Sequence, residues 1–123
     1  MGLADYQNEI DAWIQNFEEG YWPPLANLAR LSEEVGELAR VINHRFGPKK
    51  RKSDESDATL EEEIGDVLFT IMVMANSLGV NLDDVMNDTL NKVVRRDSRR
   101  WTLKEGVELQ DVEAMRPADP AKK

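Results

Sequence analysis

Apolar residues recur along most of this chain at spacings of three and four, the period of a helix with one buried face. Leu3, Tyr6, Ile10, Trp13, Ile14 and Phe17 predict a first helix over about Leu3 to Glu19, ended by Gly20. Tyr21-Trp22-Pro23-Pro24 then forms a stiff aromatic connector, because proline restricts both itself and the residue before it. Leu25, Leu28, Leu31, Val35, Leu38, Ile42 and Phe46 mark one face of a second helix, from about Pro24 to Phe46. The periodicity stops at Gly47, and the run to Ala58 is a charged, low-complexity loop. Its Lys49-Lys-Arg-Lys52 stretch has no interleaved aromatics and is followed at once by acids, so a solvated loop is expected rather than a nucleic-acid patch.

Thr59-Leu-Glu-Glu62 has the form of a capping box and opens a third helix that runs to about Leu78 and stops at Gly79. Ile64, Val67, Leu68, Ile71, Ala75 and Leu78 make one face of it, while Phe69 and Val73 lie elsewhere. A helix apolar on several sides belongs at the centre of a bundle or in a subunit interface. Asn81 caps a fourth helix, with Asp83 and Asp84 in the first turn, where the helix dipole favours acids. Its far end is basic, with Lys92, Arg95, Arg96, Arg99 and Arg100 before Trp101. Beyond Thr102 regular periodicity is lost, although Val107, Leu109, Val112 and Met115 offer docking points, and Pro117 to Lys123 is expected to be disordered. The pattern is that of an all-α protein with a four-helix, bundle-like protomer. A catalytic domain is expected over 1–101, including the loop at 47–58, with a tail over 102–123.

Composition narrows the chemistry. The chain has 123 residues and a formal net charge of −8, with 33% charged residues. This balance disfavours coating of nucleic-acid polymers. No cysteine is present, so disulfides, thiolate metal sites and thiol catalysis are excluded. The single histidine, His44, makes histidine-rich metal sites and Ser-His-Asp chemistry poor candidates. No apolar run reaches the roughly 18 residues of a membrane span, and no signal peptide is evident, so a soluble cytoplasmic domain is expected.

The acids supply the candidate chemistry. Glu33-Glu34-Val-Gly36-Glu37 on the second helix is echoed by Glu63-Ile-Gly65-Asp66 on the third. At about 100° per residue, Glu34 falls at the border of the apolar face and Glu37 one step further round, while Glu33 points away. Glu63 and Asp66 project beside Val67, Thr70, Val73 and Met74. Carboxylates crowded against an apolar core repel one another and lose solvation, so a cation is needed to offset both. A hard divalent ion with oxygen ligands is the natural candidate. Glycine within a helix costs ~1 kcal/mol against alanine, so close packing or ligand approach is a reason to keep Gly36 and Gly65. A di-iron carboxylate bundle would place Glu-x-x-His pairs on two helices; here the equivalents are Glu34-x-x-Glu37 and Glu63-x-x-Asp66, an all-oxygen set better suited to magnesium or manganese. The basic end of the fourth helix suits a helix C-terminus, and beside a magnesium site it also suits a polyphosphate. Of the aromatics, most read as core or interface; Trp22, in the loop feeding the Glu34 helix, is the best candidate to stack on a base. His44 lies about two turns beyond Glu37 on a similar side, which makes it a candidate for the same pocket beside its ordinary reading as a partly exposed histidine.

With these residues in place, the chain resembles the MazG-like nucleotide pyrophosphohydrolases of the all-α NTP pyrophosphatase superfamily, whose pattern is Glu-Glu-x-x-Glu followed after a variable connection by Glu-x-x-Asp. The likeness extends from about Tyr6 to Trp101. Gly20-Tyr-Trp-Pro-Pro-Leu, Leu38-Ala-Arg-Val-Ile-Asn-His-Arg and Arg99-Arg-Trp101-Thr look like the YpjD-type subgroup. The resemblance implies a magnesium-dependent enzyme that cleaves a nucleoside triphosphate between the α and β phosphorus atoms. It implies Glu34, Glu37, Glu63 and Asp66 as metal ligands and Lys92 as a phosphate contact, with Arg95 and Arg96 beside it. Glu33 and Glu37 are the candidates for general base. It also implies a homo-oligomer, with a dimer of dimers preferred here to a dimer. The competing class is a non-catalytic oligomeric helical module that binds nucleotide or metal without turnover.

Overall fold

The computed structural model describes residues 1–48 and 59–116, so most of the charged loop, including its basic run, and the 117–123 tail lie outside the described residues. All regular structure among the described residues is helical: α1 (Leu3–Ile14), α2 (Pro24–Phe46), α3 (Leu60–Ser77), α4 (Leu82–Asp97) and a short α5 (Leu109–Glu113). The chain forms two compact units, Met1–Val80 and Asn81–Lys123. In the first, α2 packs chiefly on α3, and α1 packs on α3 as well. In the second, α4 and α5 pack together, and Arg99 Nε donates to Glu113 Oε1 at 2.8 Å. No single helix is long and apolar enough to cross a membrane.

The ends of the helices follow local chemistry. Pro24 opens α2, where the first-turn N–H it lacks would have no intrahelical partner. Thr59 accepts from the Glu62 N–H and Asn81 from the Asp84 N–H, both at 3.1 Å, so both expected N-caps form. At the end of α3, the Val80 N–H reaches back to the Ala75 carbonyl at 2.8 Å across Gly79, whose φ of 70° is left-handed. The first helix is shorter than its apolar pattern predicts. Asn16 Nδ2 donates to the Ala12 and Trp13 carbonyls, and the Asn16 and Phe17 N–H groups bond three residues back, so the chain tightens into turns after Ile14. The other departure is α5, in a stretch where no regular element was expected.

The buried apolar residues are Ile14, Met72 and Ala75, accompanied by the polar Gln7, Asn27, Glu63 and Thr70. Gln7 ties α1 to the end of α3: Nε2 donates to Asn76 Oδ1 and to the Val80 carbonyl, and Asn76 Nδ2 donates to the Gln7 carbonyl. The stripe expected to be the inward face of α2 is only partly covered. Leu31 and Leu38 are half-buried, but Leu25 is 81% and Phe46 71% exposed, and Leu28, Val35 and Ile42 are also exposed. Ile64, Leu68 and Phe69 on α3 are likewise exposed. The α2 pattern thus marks an apolar face correctly, yet a single copy of the chain does not cover it.

Candidate metal centre and adjoining cavity

The α2–α3 packing places the two acid pairs against each other. Glu34, Glu63 and Asp66 each offer a carboxylate oxygen, and these oxygens lie within 4.8 Å of one another. Glu63 is the deepest, at 6% exposure; Glu34 is half-buried and Asp66 exposed. Glu37 is half-buried and pairs with Arg40 one turn on. Glu33 is exposed, so the outward turn expected of it and the inward turn of Glu34 and Glu37 are what the helix presents. Asp66 is the exception among the acids expected to be buried.

Burial pushes the Glu63 carboxyl above its ordinary range, and the neighbouring charges of Asp66, Glu37 and Glu34 push it further; Arg40 pulls it partly back. A deep carboxylate facing three other acids is a site that gains from a cation. The oxygens of Glu34, Glu63 and Asp66 carry several negative charges and stand close enough to share one ion, which fits a hard divalent metal; Glu37, expected as a fourth ligand, is not in this group and pairs with Arg40. Of the two reasons expected for the glycines, close packing inside this chain does not apply: a Cβ at Gly36 or Gly65 would meet nothing within 4 Å.

Beside the acids lies a cavity of about 450 Å³, lined by Trp13, Phe17, Trp22 and Phe69 together with Asn27 and Arg30, among others. Two residues join it to the acid cluster. Arg30 Nε donates to Glu34 Oε1 at 2.8 Å, and Thr70, another lining residue, donates its hydroxyl to the Asp66 carbonyl at 2.8 Å. The aromatic wall is held in place from α1. Trp13 meets Phe17 edge-on at 5.1 Å and Phe69 at 6.3 Å. Tyr21 donates to Asp11 and so fastens the Gly20–Trp22 loop to that helix. Desolvation, then the bond to Asp11, raises the Tyr21 hydroxyl above its usual pKa.

Trp22, expected from its loop position to be able to stack on a base, lines the cavity. His44 is half-buried and is not among the lining residues. Lys92, Arg95 and Arg96 lie on α4 in the second unit; Lys92 and Arg95 are exposed, and Arg96 forms a two-pronged pair with Asp97. The sequence pattern missed Arg30 and Asn27. Arg30 stands four residues before Glu34, the spacing of a helical ion pair. Asn27 stands four before Leu31, which puts a polar side chain on the apolar face.

Comparison with known proteins agrees with this geometry. Residues 23–101 match the MazG nucleotide pyrophosphohydrolase domain, a span that contains both acid pairs. YpjD of Bacillus subtilis (strain 168) is 50% identical over 103 residues, covering 84% of this chain and 93% of that protein. YvdC of the same organism is 34% identical over 106 residues, covering 78% and 96%. A crystal structure of YPJD from Bacillus subtilis superposes with a TM-score of 0.68 at 49% identity, over 75% of this chain and 94% of that one. A crystal structure of the Bacillus-conserved MazG protein, a nucleotide pyrophosphohydrolase, also gives 0.68, at 46% identity, over 81% and 97%. The chain belongs to the MazG family of nucleotide pyrophosphohydrolases, hydrolases of phosphoric anhydride bonds.

Proposed function

We propose that this protein is a Mg²⁺-dependent nucleoside triphosphate pyrophosphohydrolase that cleaves between the α and β phosphorus atoms to give the monophosphate and pyrophosphate. The observation that carries the reading is the junction of two surfaces. An acid cluster fit for a divalent ion adjoins an aromatic cavity large enough for a nucleoside, with Arg30 of the cavity wall paired to Glu34 of the cluster. A triphosphate with its base among Trp13, Trp22 and Phe69 would carry its phosphates toward Glu34, Glu63 and Asp66.

In this reading Glu34, Glu63 and Asp66, with Glu37, hold Mg²⁺, and Mn²⁺ is the natural substitute. When bound, such an ion polarises phosphoryl oxygens and makes a water easier to deprotonate. Glu33 or Glu37 takes the proton of the attacking water: Glu37 faces Glu63 closely enough to raise its pKa, and Glu33 lies on the solvent side of the same turn. Lys92, Arg95 and Arg96 neutralise the departing pyrophosphate, and Trp22 stacks on the base; His44, the second candidate for stacking, does not line this cavity. The apolar face left open on α2 supports assembly of the chain as a homo-oligomer, and a dimer of dimers is proposed in preference to a dimer. A nucleotide substrate makes the cytoplasm the place of action.

The test is a panel of ribo- and deoxyribonucleoside triphosphates with Mg²⁺, assayed for pyrophosphate, with the reaction run in ¹⁸O-water. Pyrophosphate release by wild type, its loss in Glu63→Ala, and label in the monophosphate are expected. Equal trace release by the two proteins would sink the reading, and label in pyrophosphate alone would move the attack to the β phosphorus.

A further inference from the structure

The cavity contains a polar group that its aromatic walls do not account for. Asn27 is 3% exposed and lines the cavity from the first turn of α2. Its Nδ2 donates one hydrogen to the Trp22 carbonyl at 3.2 Å. Among the described residues nothing else bonds to this side chain, so Oδ1 and the second amide hydrogen have no protein partner. Oδ1 is not wholly shut off, so it stays open to a ligand in the cavity, and a ligand that covered it without bonding would leave it at a cost in free energy. The bond to Trp22 also fixes which way the amide faces: the nitrogen lies on the Trp22 side and the oxygen opposite.

From this geometry we propose that Asn27 reads the edge of the substrate base. The proposal rests on the function proposed above and names the residue that gives the same site its base selectivity. A carboxamide presents a donor and an acceptor side by side. Its complement is an acceptor and a donor side by side, as on the N6/N7 edge of adenine or the exocyclic-group edges of the other bases. Stacking on Trp13, Trp22 or Phe69 is indifferent to base identity, since every base has a π-face. Two buried polar residues stand on the cavity wall, Thr70, whose hydroxyl hydrogen goes to the Asp66 carbonyl, and Asn27, whose amide offers a donor and an acceptor together in an orientation set before the ligand arrives. A base without the matching pair would leave Asn27 buried and unsatisfied, which is the effect that makes hydrogen-bonding pockets selective.

The experiment compares kcat/KM for the best-hydrolysed triphosphate with that of its analogue lacking the exocyclic group, either purine riboside triphosphate or 2-pyrimidinone riboside triphosphate. Wild type is expected to prefer the parent by roughly ten- to a hundredfold. In Asn27→Leu that preference should shrink to within about threefold, with the change falling on KM for the parent. Were Asn27 only a fastener for Trp22, parent and analogue would fall together in the variant and their ratio would hold; that result overturns the proposal. Equal use of parent and analogue by wild type overturns it too, and this measurement does not depend on the variant folding. If wild type releases no pyrophosphate from any triphosphate, the enzymatic reading has failed by itself. Quenching of tryptophan fluorescence by the parent and analogue monophosphates, without metal, then decides Asn27 separately: tighter parent binding supports its role, and equal binding overturns it.

Discussion

Glu63 concentrates the conflict between stability and function into one side chain. It is buried, and three acids oppose its ionisation, with Arg40 among the described residues relieving it. A carboxyl whose folded pKa lies above its unfolded value contributes its full stability below the unfolded pKa and loses it as pH rises through the folded one. Glu63→Gln keeps the shape without the charge. In the absence of metal this variant should therefore melt above wild type at about pH 8, with the difference closing towards about pH 4. It should also lose the stabilisation expected of wild type with Mg²⁺ or Mn²⁺, about 2.7 kcal/mol at a hundredfold excess over Kd, which reads out as a raised melting temperature. Thermal melts at the two pH values, with and without metal, check both parts; a variant that melts below wild type at the higher pH and still responds to metal would contradict them. The acids themselves were legible in the sequence, because 100° per residue separates Glu33 from Glu34 and Glu37 and because the two pairs echo each other. The roles of Asn27 and Tyr21 were not, since their partners, the Trp22 carbonyl and Asp11, meet them only once the loop folds back.

At the level of elements, the residues that start and stop helices were the most readable, because their partners are three or four positions away. Thr59 and Asn81 cap as expected, and Gly79 turns the chain out of α3. Thr59→Ala and Asn81→Ala should each cost ~1 kcal/mol in chemical denaturation, and neither should alter metal response; a change below about 0.3 kcal/mol would remove the caps from the account. The end of α1 was less readable. The stripe through Phe17 looks helical, but Asn16 takes the Ala12 and Trp13 carbonyls and turns the chain towards the aromatic loop. That loop depends on the contact of Tyr21 with Asp11. A tyrosine with a raised folded pKa supports the fold up to its unfolded value near 10 and loses that support as pH rises through the folded one. Of the two tyrosines, one should titrate late by absorbance, and Tyr21→Phe should abolish the late step. The same variant should lose ~1 kcal/mol of stability; a surviving late step would assign it to Tyr6 instead.

The whole molecule poses a question of covering. A chain of 123 residues has the length for a sizeable core, yet the buried apolar residues among those described are Ile14, Met72 and Ala75. Exposed apolar residues occur on α1, α2, α3 and α4, and on α2 they line up: Leu25, Leu28, Val35, Ile42 and Phe46 share one face. Isolated exposed leucines need no explanation, but a contiguous apolar stripe several turns long does. The periodicity announced this face as buried without saying by what, because sequence pattern reports only that a surface avoids water. A second copy of the same chain would supply the same stripe, and a two-fold contact is the commonest way for such a surface to cover itself. The protein should therefore run as a homo-oligomer by gel filtration with light scattering, and its melting temperature should rise with concentration. Leu28→Glu with Ile42→Glu should shift it towards the monomer and lower the melting temperature at fixed concentration, because two charges would have to be desolvated to keep the contact. Ile14→Ala, by contrast, deletes core inside one copy and should cost about 2–4 kcal/mol without changing the assembly. If wild type is monomeric at every concentration and the double glutamate variant melts with it, the α2 face is not an interface between copies.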